Sequence, residues 1–312
     1  MRLTASATWS SNNKAQTNCK RKISIIAGKP VLTVSVLAGA VFFWWIKEKR
    51  VLQKKYRILL SATSIALIVV SAAGLTFGML RYTKADKGLK HADSVIAEYT
   101  YTVPISSDEV QYSVDTENLV DIAGLQRVNP DVVAYLQIPD TAVSYPVMRS
   151  DEPGYYLTRD FDGIRSVYGS IYVDAACYEN GPVTLLHGHN MKNGTMFGSL
   201  KRYRDPEYAN SHENVRYTTK DGMGMYRVCA VYDGSVRDLD LMKCTIPYTQ
   251  EEFDQLKTYI MENGAIREDF TWDDKLLVLS TCTGSDKNKR LYVMYKKYQE
   301  IKGGIADGTK TD

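Results

Sequence analysis

A run of 23 residues without a charged side chain, at positions 58–80, constrains this chain more than any other feature. The run reads ILLSATSIALIVVSAAGLTFGML. At a rise of about 1.5 Å per residue, a helix of this length crosses the roughly 30 Å hydrocarbon core of a bilayer. The sequence therefore predicts a transmembrane helix, and with it a lipid bilayer as a partner of the chain.

A second apolar stretch, at positions 30–46, has 17 uncharged residues and ends in aromatic side chains that suit a membrane interface. Its length is borderline for a span. Between the two stretches, KEKRVLQKKYR carries six Lys or Arg residues, which the positive-inside rule places in the cytoplasm. Either the chain has one span and a true start near Val51, or both stretches span as a hairpin. In both cases the chain after position 80 is expected outside the cell.

The formal net charge of +3 conceals an uneven distribution. Residues 1–84 contain 14 Lys or Arg and one acidic residue, whereas residues 85–312 contain 25 Lys or Arg and 35 acidic residues. The basic residues flank the apolar stretches, as in membrane anchors, and indicate no nucleic-acid surface.

Composition divides the chain into five predicted parts. They are a basic cytoplasmic segment with the possible first span (1–57), the transmembrane helix (58–80), a polar extracellular stalk (81–115), a globular domain (116–300) and a flexible tail (301–312).

Cysteines occur at positions 19, 177, 229, 244 and 282. A domain of this size buries a core without cross-links, so no disulfide framework is required. Cys229, in YRVCAVY, is expected in the core of a strand. Cys177 and Cys244 lie near loops and are either free or paired. No pair has the spacing of zinc ligands, and we expect neither a metal nor a cofactor.

Short apolar runs separated by turn formers dominate the globular domain. A hairpin is predicted within 214–234, where Asp221 and Gly222 separate two β-rich runs. Further strands are predicted in the segments 129–148, 169–177, 181–190 and 276–295.

One amphipathic helix is predicted over 249–263. Thr249 and Glu252 have the spacing of a capping box, and three apolar residues share one helical face: Phe253, Leu256 and Ile260. Seven or eight short strands with few helices favour a mainly β domain, a closed β-barrel with a few peripheral helices, over a parallel α/β sheet.

Chemistry is indicated by the segment LLVLSTCTGSDKNKRLYV, at positions 276–293. One predicted strand ends at Cys282, turn formers follow, and the next strand begins at Arg290. If the two strands pair antiparallel, the thiol and the guanidinium lie side by side at the mouth of the loop. A thiol beside a permanent cation is a candidate catalytic arrangement.

A catalytic cysteine needs a base or a cation nearby, because a thiol with a pKa of about 8.5 is mostly protonated at neutral pH. His91 and His212 lie in polar segments and are expected to be solvated. His187 continues an apolar strand and is expected to be packed or at the rim of the barrel. His189 follows Gly188 where the strand gives way to a loop, which is where catalytic groups usually lie.

The ordered motifs GHN, LSTC and an arginine eight residues after the cysteine resemble those of sortases. The segments NPDVVAYLQIPDTAVSYPV, GSIYVD and HGHNMKNGTMFGSL, and the helix before the last strands, resemble class B sortases in particular. The resemblance extends from about Leu119 to Tyr298 and does not include the first 50 residues. It implies a sortase-type barrel in a membrane-anchored cysteine transpeptidase.

By this resemblance, Cys282 attacks the Thr carbonyl of a carboxy-terminal sorting signal, in class B usually of the Asn-Pro-x-Thr-Asn kind. An amine of the peptidoglycan precursor or cross-bridge then resolves the thioacyl intermediate and fixes an exported protein to the wall. His189 acts as general acid and base. Arg290 holds the substrate backbone or the developing oxyanion. The thiolate–imidazolium form is expected to be a small fraction at pH 7, and turnover slow.

The resemblance also implies residues that contact the signal. Ser280 matches a class B serine that faces the peptide, and Thr281 matches the Thr-Cys pair, although both also suit an ordinary strand. Leu241 and Met242 are expected to wall the peptide groove. Ser144 stands where some class B members carry Asn or Asp, which leaves the second residue of the recognised motif open.

Three other functions compete with wall anchoring. A pilin-polymerising sortase has the same catalytic residues. A thiol hydrolase of the papain or amidase type has its cysteine before its histidine, the reverse of the order here. A membrane-tethered adhesion or sensor domain on a degenerate barrel would lack one of the three candidate residues, and this sequence has all three.

Overall fold

The computed structural model describes residues 54–105, 115–178, 181–235, 247, 249–284, 286 and 288–301. The chain divides into two compact units, Met1–Leu75 and Thr76–Asp312. Helix α1 (Lys54–Glu98) contains the predicted span. It is long and apolar enough to cross a membrane, judged by length and composition, and its apolar window is not buried in the protein. The stretch 30–46 lies outside the described residues.

The carboxy-terminal part of α1 belongs to the folded domain. Ala85, Ala92 and Ile96 are buried in its apolar clusters, and the hydroxyl of Tyr168 donates a hydrogen bond of 2.7 Å to Asp86. A two-stranded sheet of β1 (Thr100–Ile105) and β2 (Asp115–Val120) follows. Part of the segment predicted as a stalk therefore packs on the globular domain.

Most of the domain is one β-sheet. Its strands are β3 (Val132–Gln137), β4 (Ser144–Met148), β5 (Ile171–Val173), β6 (Val183–His187), β7 (Asn214–Thr219), β8 (Gly222–Ser235), β9 (Gly264–Ile266), β10 (Leu276–Cys282) and β11 (Lys289–Ile301). Their order is β11-β10-β6-β5-β4-β3-β7-β8-β9, and β11 also pairs with β8. Eight strands thus close into a barrel, and the predicted mainly β architecture is confirmed.

The hairpin of β7 and β8 turns one residue earlier than the sequence pattern suggested. Thr219 pairs with Gly222, so the two residues of the turn are Lys220 and Asp221. Gly222 has a φ of 137° and begins the second strand. The hairpin itself is confirmed.

The helices lie on the outside of this sheet and are α2 (Ile122–Val128), α3 (Pro206–Ser211) and α4 (Gln250–Asn263). Helix α4 begins as predicted: the hydroxyl of Thr249 accepts from the backbone N–H of Glu252, and the Glu252 carboxylate accepts from the N–H of Thr249. The three apolar residues of its predicted face are buried: Phe253, Leu256 and Ile260. Two 3-10 helices, Tyr155–Thr158 and Leu200–Arg204, complete the domain.

Strand β10 runs through the centre of the fold between β6 and β11. It is parallel to β6 and antiparallel to β11. All of its residues before Cys282 are buried, which explains its continuous apolar run, because a strand covered on both faces has no solvent side. Only its carboxy-terminal end reaches the surface.

Candidate active site

Cys282 and Arg290 face each other across β10 and β11. Cys282 is the last residue of β10 and is partly exposed. It lies directly opposite Arg290 in the antiparallel register. The neighbouring positions expected from the strand-loop-strand pattern are therefore present in the structure.

His189 lies on the other flank of Cys282. Strand β6 is in register with β10 at His187 and Ser280. Beyond that pair, the Gly188 N–H donates to the Ser280 carbonyl at 3.2 Å, and the Thr281 hydroxyl donates to the Gly188 carbonyl at 2.9 Å. The backbone of His189 consequently runs beside that of Cys282, and β10 carries the cysteine between the histidine and the arginine.

Asn190 locks these two segments together. Its side-chain amide donates a hydrogen bond of 2.7 Å to the carbonyl oxygen of Cys282. Asn190 belongs to the GHN motif but was not among the predicted site residues.

A backbone carbonyl fixes the ring of His189. Its Nε2 atom lies 2.8 Å from the carbonyl oxygen of Leu157, in the first 3-10 helix. Because a carbonyl oxygen only accepts hydrogen bonds, Nε2 must carry a proton. In the neutral ring Nδ1 is then the basic nitrogen, so it is the atom available for proton transfer.

Gly169 makes room for that carbonyl. A Cβ atom at this position would lie 2.4 Å from the Leu157 oxygen and 2.8 Å from the Tyr156 oxygen, and the φ of Gly169 is +59°. A side chain would meet both a steric clash and the cost of the left-handed conformation. The glycine thus acts on His189 through Leu157, a link without a local sequence signal.

A row of side chains crosses the sheet at Ser280, two residues before Cys282 on β10. Ser280 is in register with His187 on one side and with Tyr292 on the other, and His187 is in register with Tyr172 on β5. Alternation along a strand puts these residues on the same face as Cys282. The Ser280 hydroxyl is buried and has no hydrogen-bond partner in the part of the chain that the structure describes, which is unusual for a buried polar group.

His187 has a structural partner. Its Nε2 atom lies 2.7 Å from the Asp174 carboxylate, and the two side chains are 19% and 16% exposed. Burial raises the pKa of Asp174, but the hydrogen bonds from His187 and from the Ala176 N–H outweigh it and hold the pKa below its usual value. The His187 ring also contacts Tyr172, with ring centroids 5.3 Å apart. The packed position expected for His187 is found.

Tyr172 also lies within electrostatic range of the candidate catalytic pair. Burial and the Asp174 carboxylate raise the pKa of Tyr172 to about 12, while Arg290 lowers it and Cys282 raises it further. Its hydroxyl is therefore neutral at physiological pH, and it can offer the site a hydrogen bond but no charge.

The other two described histidines differ from each other. His91 is solvated as expected, with a half-exposed side chain 3.5 Å from Asp162. His212 is only partly exposed: its Nδ1 lies 2.9 Å from the Tyr208 carbonyl, and its ring stacks on Tyr208 with centroids 4.0 Å apart. The expectation of a solvated His212 is corrected, because His212 caps the carboxy-terminal end of helix α3 and its ring packs on Tyr208 one turn earlier.

The residues predicted to contact substrate occupy varied positions. The Thr281 hydroxyl is engaged with Gly188 and buried. Ser144 begins β4, three strands from β10 in sheet order, and its hydroxyl lies 2.7 Å from that of Tyr135. Leu241 and Met242 lie outside the described residues. The substrate contacts of these residues remain predictions.

The structure describes three of the cysteines, and all three are free thiols. Burial raises the pKa of Cys177 to about 11 and that of Cys229 well above its ordinary range. Both are buried, whereas Cys282 is partly exposed. Cys229 lies in the core of β8 as expected. Cys282 is thus the accessible thiol among the described cysteines. Separately, the described residues contain no group of three or more side chains that could hold a metal ion.

The fold and this site define a family. The model of the sortase domain matches residues 136–298, and the chain belongs to the sortase family. It is 29% identical over 248 residues to sortase B of Listeria monocytogenes, covering 76% of this chain and 95% of the relative. It is 26% identical over 181 residues to sortase B of Staphylococcus aureus, covering 55% and 72%.

Solved structures agree. The crystal structure of Clostridium perfringens sortase B superposes with a TM-score of 0.52 at 26% identity, covering 57% of this chain and 99% of that one. Within the family the chain is a class B sortase, a cysteine transpeptidase. A papain-type hydrolase does not fit, because here the candidate nucleophile ends a strand of a closed barrel.

Proposed function

We propose that this sortase is anchored in the cell membrane and attaches exported proteins to the cell wall. It cleaves a carboxy-terminal sorting signal of the Asn-Pro-x-Thr-Asn kind after Thr and transfers the acyl group to a peptidoglycan amine. The observation that carries the proposal is the position of Cys282 between His189 and Arg290 at one end of β10. Two strand pairings bring Arg290, eight residues after Cys282, and the distant His189 to the same end of β10.

The first half-reaction makes a thioester. The Cys282 thiolate attacks the Thr carbonyl carbon, the carbonyl electrons move to oxygen, and the oxyanion is stabilised by the Arg290 guanidinium. Collapse of this intermediate breaks the C–N bond. His189 as imidazolium gives its Nδ1 proton to the leaving amine.

The second half-reaction reverses these roles. The acceptor amine attacks the thioester carbonyl, and neutral His189 takes a proton from it as a new amide bond forms and the Cys282 thiolate leaves. Because the guanidinium does not titrate, Arg290 serves both half-reactions. The hydrogen bond to the Leu157 carbonyl holds the imidazole in one orientation throughout.

Recognition of the signal is proposed at the inner row of the site. The buried Ser280 hydroxyl has no hydrogen-bond partner among the described residues, so a peptide group of the substrate can supply one. Leaving a buried hydroxyl unpaired costs about 1–3 kcal/mol, which a bound peptide would recover. Leu241 and Met242 are proposed to form the wall of the groove, and Ser144 is proposed to contact the second motif residue.

The anchor completes the arrangement. Helix α1 has the length and composition of a membrane span, and the basic segment before it favours a cytoplasmic amino-terminal side. The catalytic domain is then extracellular, facing the wall and the exported substrates.

The test is transpeptidation by the full chain in detergent. Fluorogenic peptides with a panel of sorting signals are incubated with either a cross-bridge amine or a pilin-type lysine peptide, and the products are identified by mass spectrometry. We expect a ligated product with an Asn-Pro-x-Thr-Asn signal and the cross-bridge amine. Preference for the lysine peptide would favour pilin polymerisation instead.

Variants assign the roles. Cys282→Ala abolishes the acyl-enzyme. His189→Ala and Arg290→Ala each lower the rate by about a hundredfold or more, and His187→Ala is the matched control with a much smaller effect. Cleavage that survives Cys282→Ala, or equal losses for the two histidines, would refute the assignment.

A further inference from the structure

A cavity of about 560 Å³ opens at the end of the barrel opposite Cys282. Lys275, immediately before β10, lies on its wall. Cys282 lies seven positions after Lys275, which at about 3.3 Å per residue is roughly 23 Å. The cavity is therefore distinct from the candidate active site and takes no part in the function proposed above.

The wall of this cavity carries an excess of positive charge. Among the residues that the structure describes, four basic side chains line it (Arg149, Lys220, Lys275 and Lys297), against two acidic ones, Asp221 and Glu300. Glu300 is already paired with Lys297, at 3.2 Å. The Lys275 ammonium donates a hydrogen bond of 3.3 Å to the Gly181 carbonyl.

Arg149 is the central feature of the cavity. One Nη atom donates a hydrogen bond of 2.6 Å to the Cys177 carbonyl, which fixes the guanidinium. The residue is partly buried, and it forms no ion pair with any residue that the structure describes. A cation that has lost part of its hydration and has no counter-ion is unfavourable.

Two titratable groups beside Arg149 in the described chain, Cys177 and Tyr217, do not supply a negative charge to balance its guanidinium. Burial raises the pKa of the Cys177 thiol to about 11 and that of the Tyr217 hydroxyl far above neutrality. Both groups are neutral at physiological pH, so neither of these described neighbours balances the Arg149 charge, and an anion from outside can do so.

The rest of the wall suits an organic ligand. Tyr217 and Tyr226 meet edge to face, with ring centroids 6.3 Å apart, and both line the cavity. The volume lies in the range of about 300–1,000 Å³ typical of small-molecule sites. A guanidinium matches the two oxygens of a carboxylate or a phosphate.

We propose that this cavity binds an organic oxyanion, whose carboxylate or phosphate group pairs with Arg149 and whose body lies against Tyr217 and Tyr226. The site is separate from the transpeptidation centre.

The proposal is tested by binding to the full chain in nonionic detergent at constant ionic strength. The probes are phenyl phosphate and benzoate, with benzyl alcohol as the neutral control, and binding is followed by calorimetry and by the shift of the melting temperature. We expect saturable binding of at least one anion and none of benzyl alcohol. The two anions show which oxyanion the site prefers.

Variants locate the binding. Arg149→Gln is expected to weaken it by about tenfold or more, since a hydrogen-bonded charge is lost. Lys201→Gln removes the same charge from an exposed position outside the cavity wall and is expected to leave the affinity within about twofold. Arg149→Lys keeps the charge but not the two parallel N–H donors of the guanidinium. It replaces the glutamine variant if that variant fails to fold, and we expect it to give an intermediate affinity. Transpeptidation by the Arg149 variants is expected to stay within about twofold of the wild type.

Absence of saturable binding to the wild type, or equal affinities of the Arg149 and Lys201 variants, would overturn the proposal. So would binding gained only in Glu179→Gln, because Glu179, which lies outside the described residues, would then be the counter-ion of the cavity.

Discussion

Substitution of Gly169 by alanine tests whether a backbone contact positions the proposed catalytic histidine. The added Cβ would lie 2.4 Å from the Leu157 carbonyl oxygen. Contacts of real Cβ atoms are at least 3.0 Å, so the carbonyl must move by about 0.6 Å or more. If it moves away from His189, the hydrogen bond of 2.8 Å lengthens to about 3.4 Å, beyond the normal range of about 2.7–3.2 Å.

Two energies follow from this geometry. The left-handed φ of +59° at Gly169 costs an alanine about 1–2 kcal/mol, and the weakened hydrogen bond costs about 1 kcal/mol. We expect the free energy of unfolding to fall by about 2–3 kcal/mol. Because a displacement of about 1 Å at a catalytic group costs about a hundredfold in rate, the transpeptidation rate should fall by about tenfold to a hundredfold.

Gly154→Ala is the matched control. Gly154 precedes the same 3-10 helix, has a φ of +71°, and has no atom within 4 Å of an added Cβ. It carries the backbone strain without the clash, so its stability should fall by about 1–2 kcal/mol while its rate stays within about twofold. The assays are peptide ligation and chemical denaturation of the full chain. Equal rate losses in the two variants, or a normal rate in a folded Gly169→Ala protein, would refute the link through Leu157.

The remaining predictions concern Asp174 and the thiols. The pKa of Asp174 is lowered in the fold, so the hydrogen bonds that its carboxylate accepts from His187 and from the Ala176 N–H add stability above the unfolded pKa of about 3.9, and this stability is lost as the pH falls through the folded pKa. The free energy of unfolding of Asp174→Asn should therefore be about 1–3 kcal/mol lower than that of the wild type at pH 7. This difference should shrink below about pH 4, and a difference that does not depend on pH would contradict this account. In alkylation at pH 7 followed by peptide mass spectrometry, Cys282 should be labelled much faster than the buried Cys177 and Cys229, and fast labelling of Cys177 in the native protein would show that the barrel opens there.

Features that depend on neighbouring residues were predictable from the sequence. Apolar runs and turn formers predicted the strands, and Thr249 with Glu252 predicted the start of helix α4, because strand alternation and capping are local rules. The side-by-side position of Cys282 and Arg290 also followed, since a short loop between two strands leaves antiparallel pairing as the simple choice.

Other features depend on contacts between residues far apart in sequence and follow from the folded structure alone. The contact of His189 with Leu157 joins a side chain to a backbone carbonyl 32 positions away, and every residue has such a carbonyl, so no residue type marks it. The same holds for Asn190 and the Cys282 carbonyl, and for the room that Gly169 provides.

The burial of a side chain and the charges around it also depend on residues far away in sequence. The pairing of His187 with Asp174 separates a structural histidine from the proposed catalytic one, two residues apart in sequence. Arg149 lies in a cavity because the closed barrel brings the ends of several strands together, and it forms no ion pair there with a residue that the structure describes. Sequence patterns predict each helix or strand separately, whereas the energies of side chains such as His187 and Arg149 depend on which other elements pack around them.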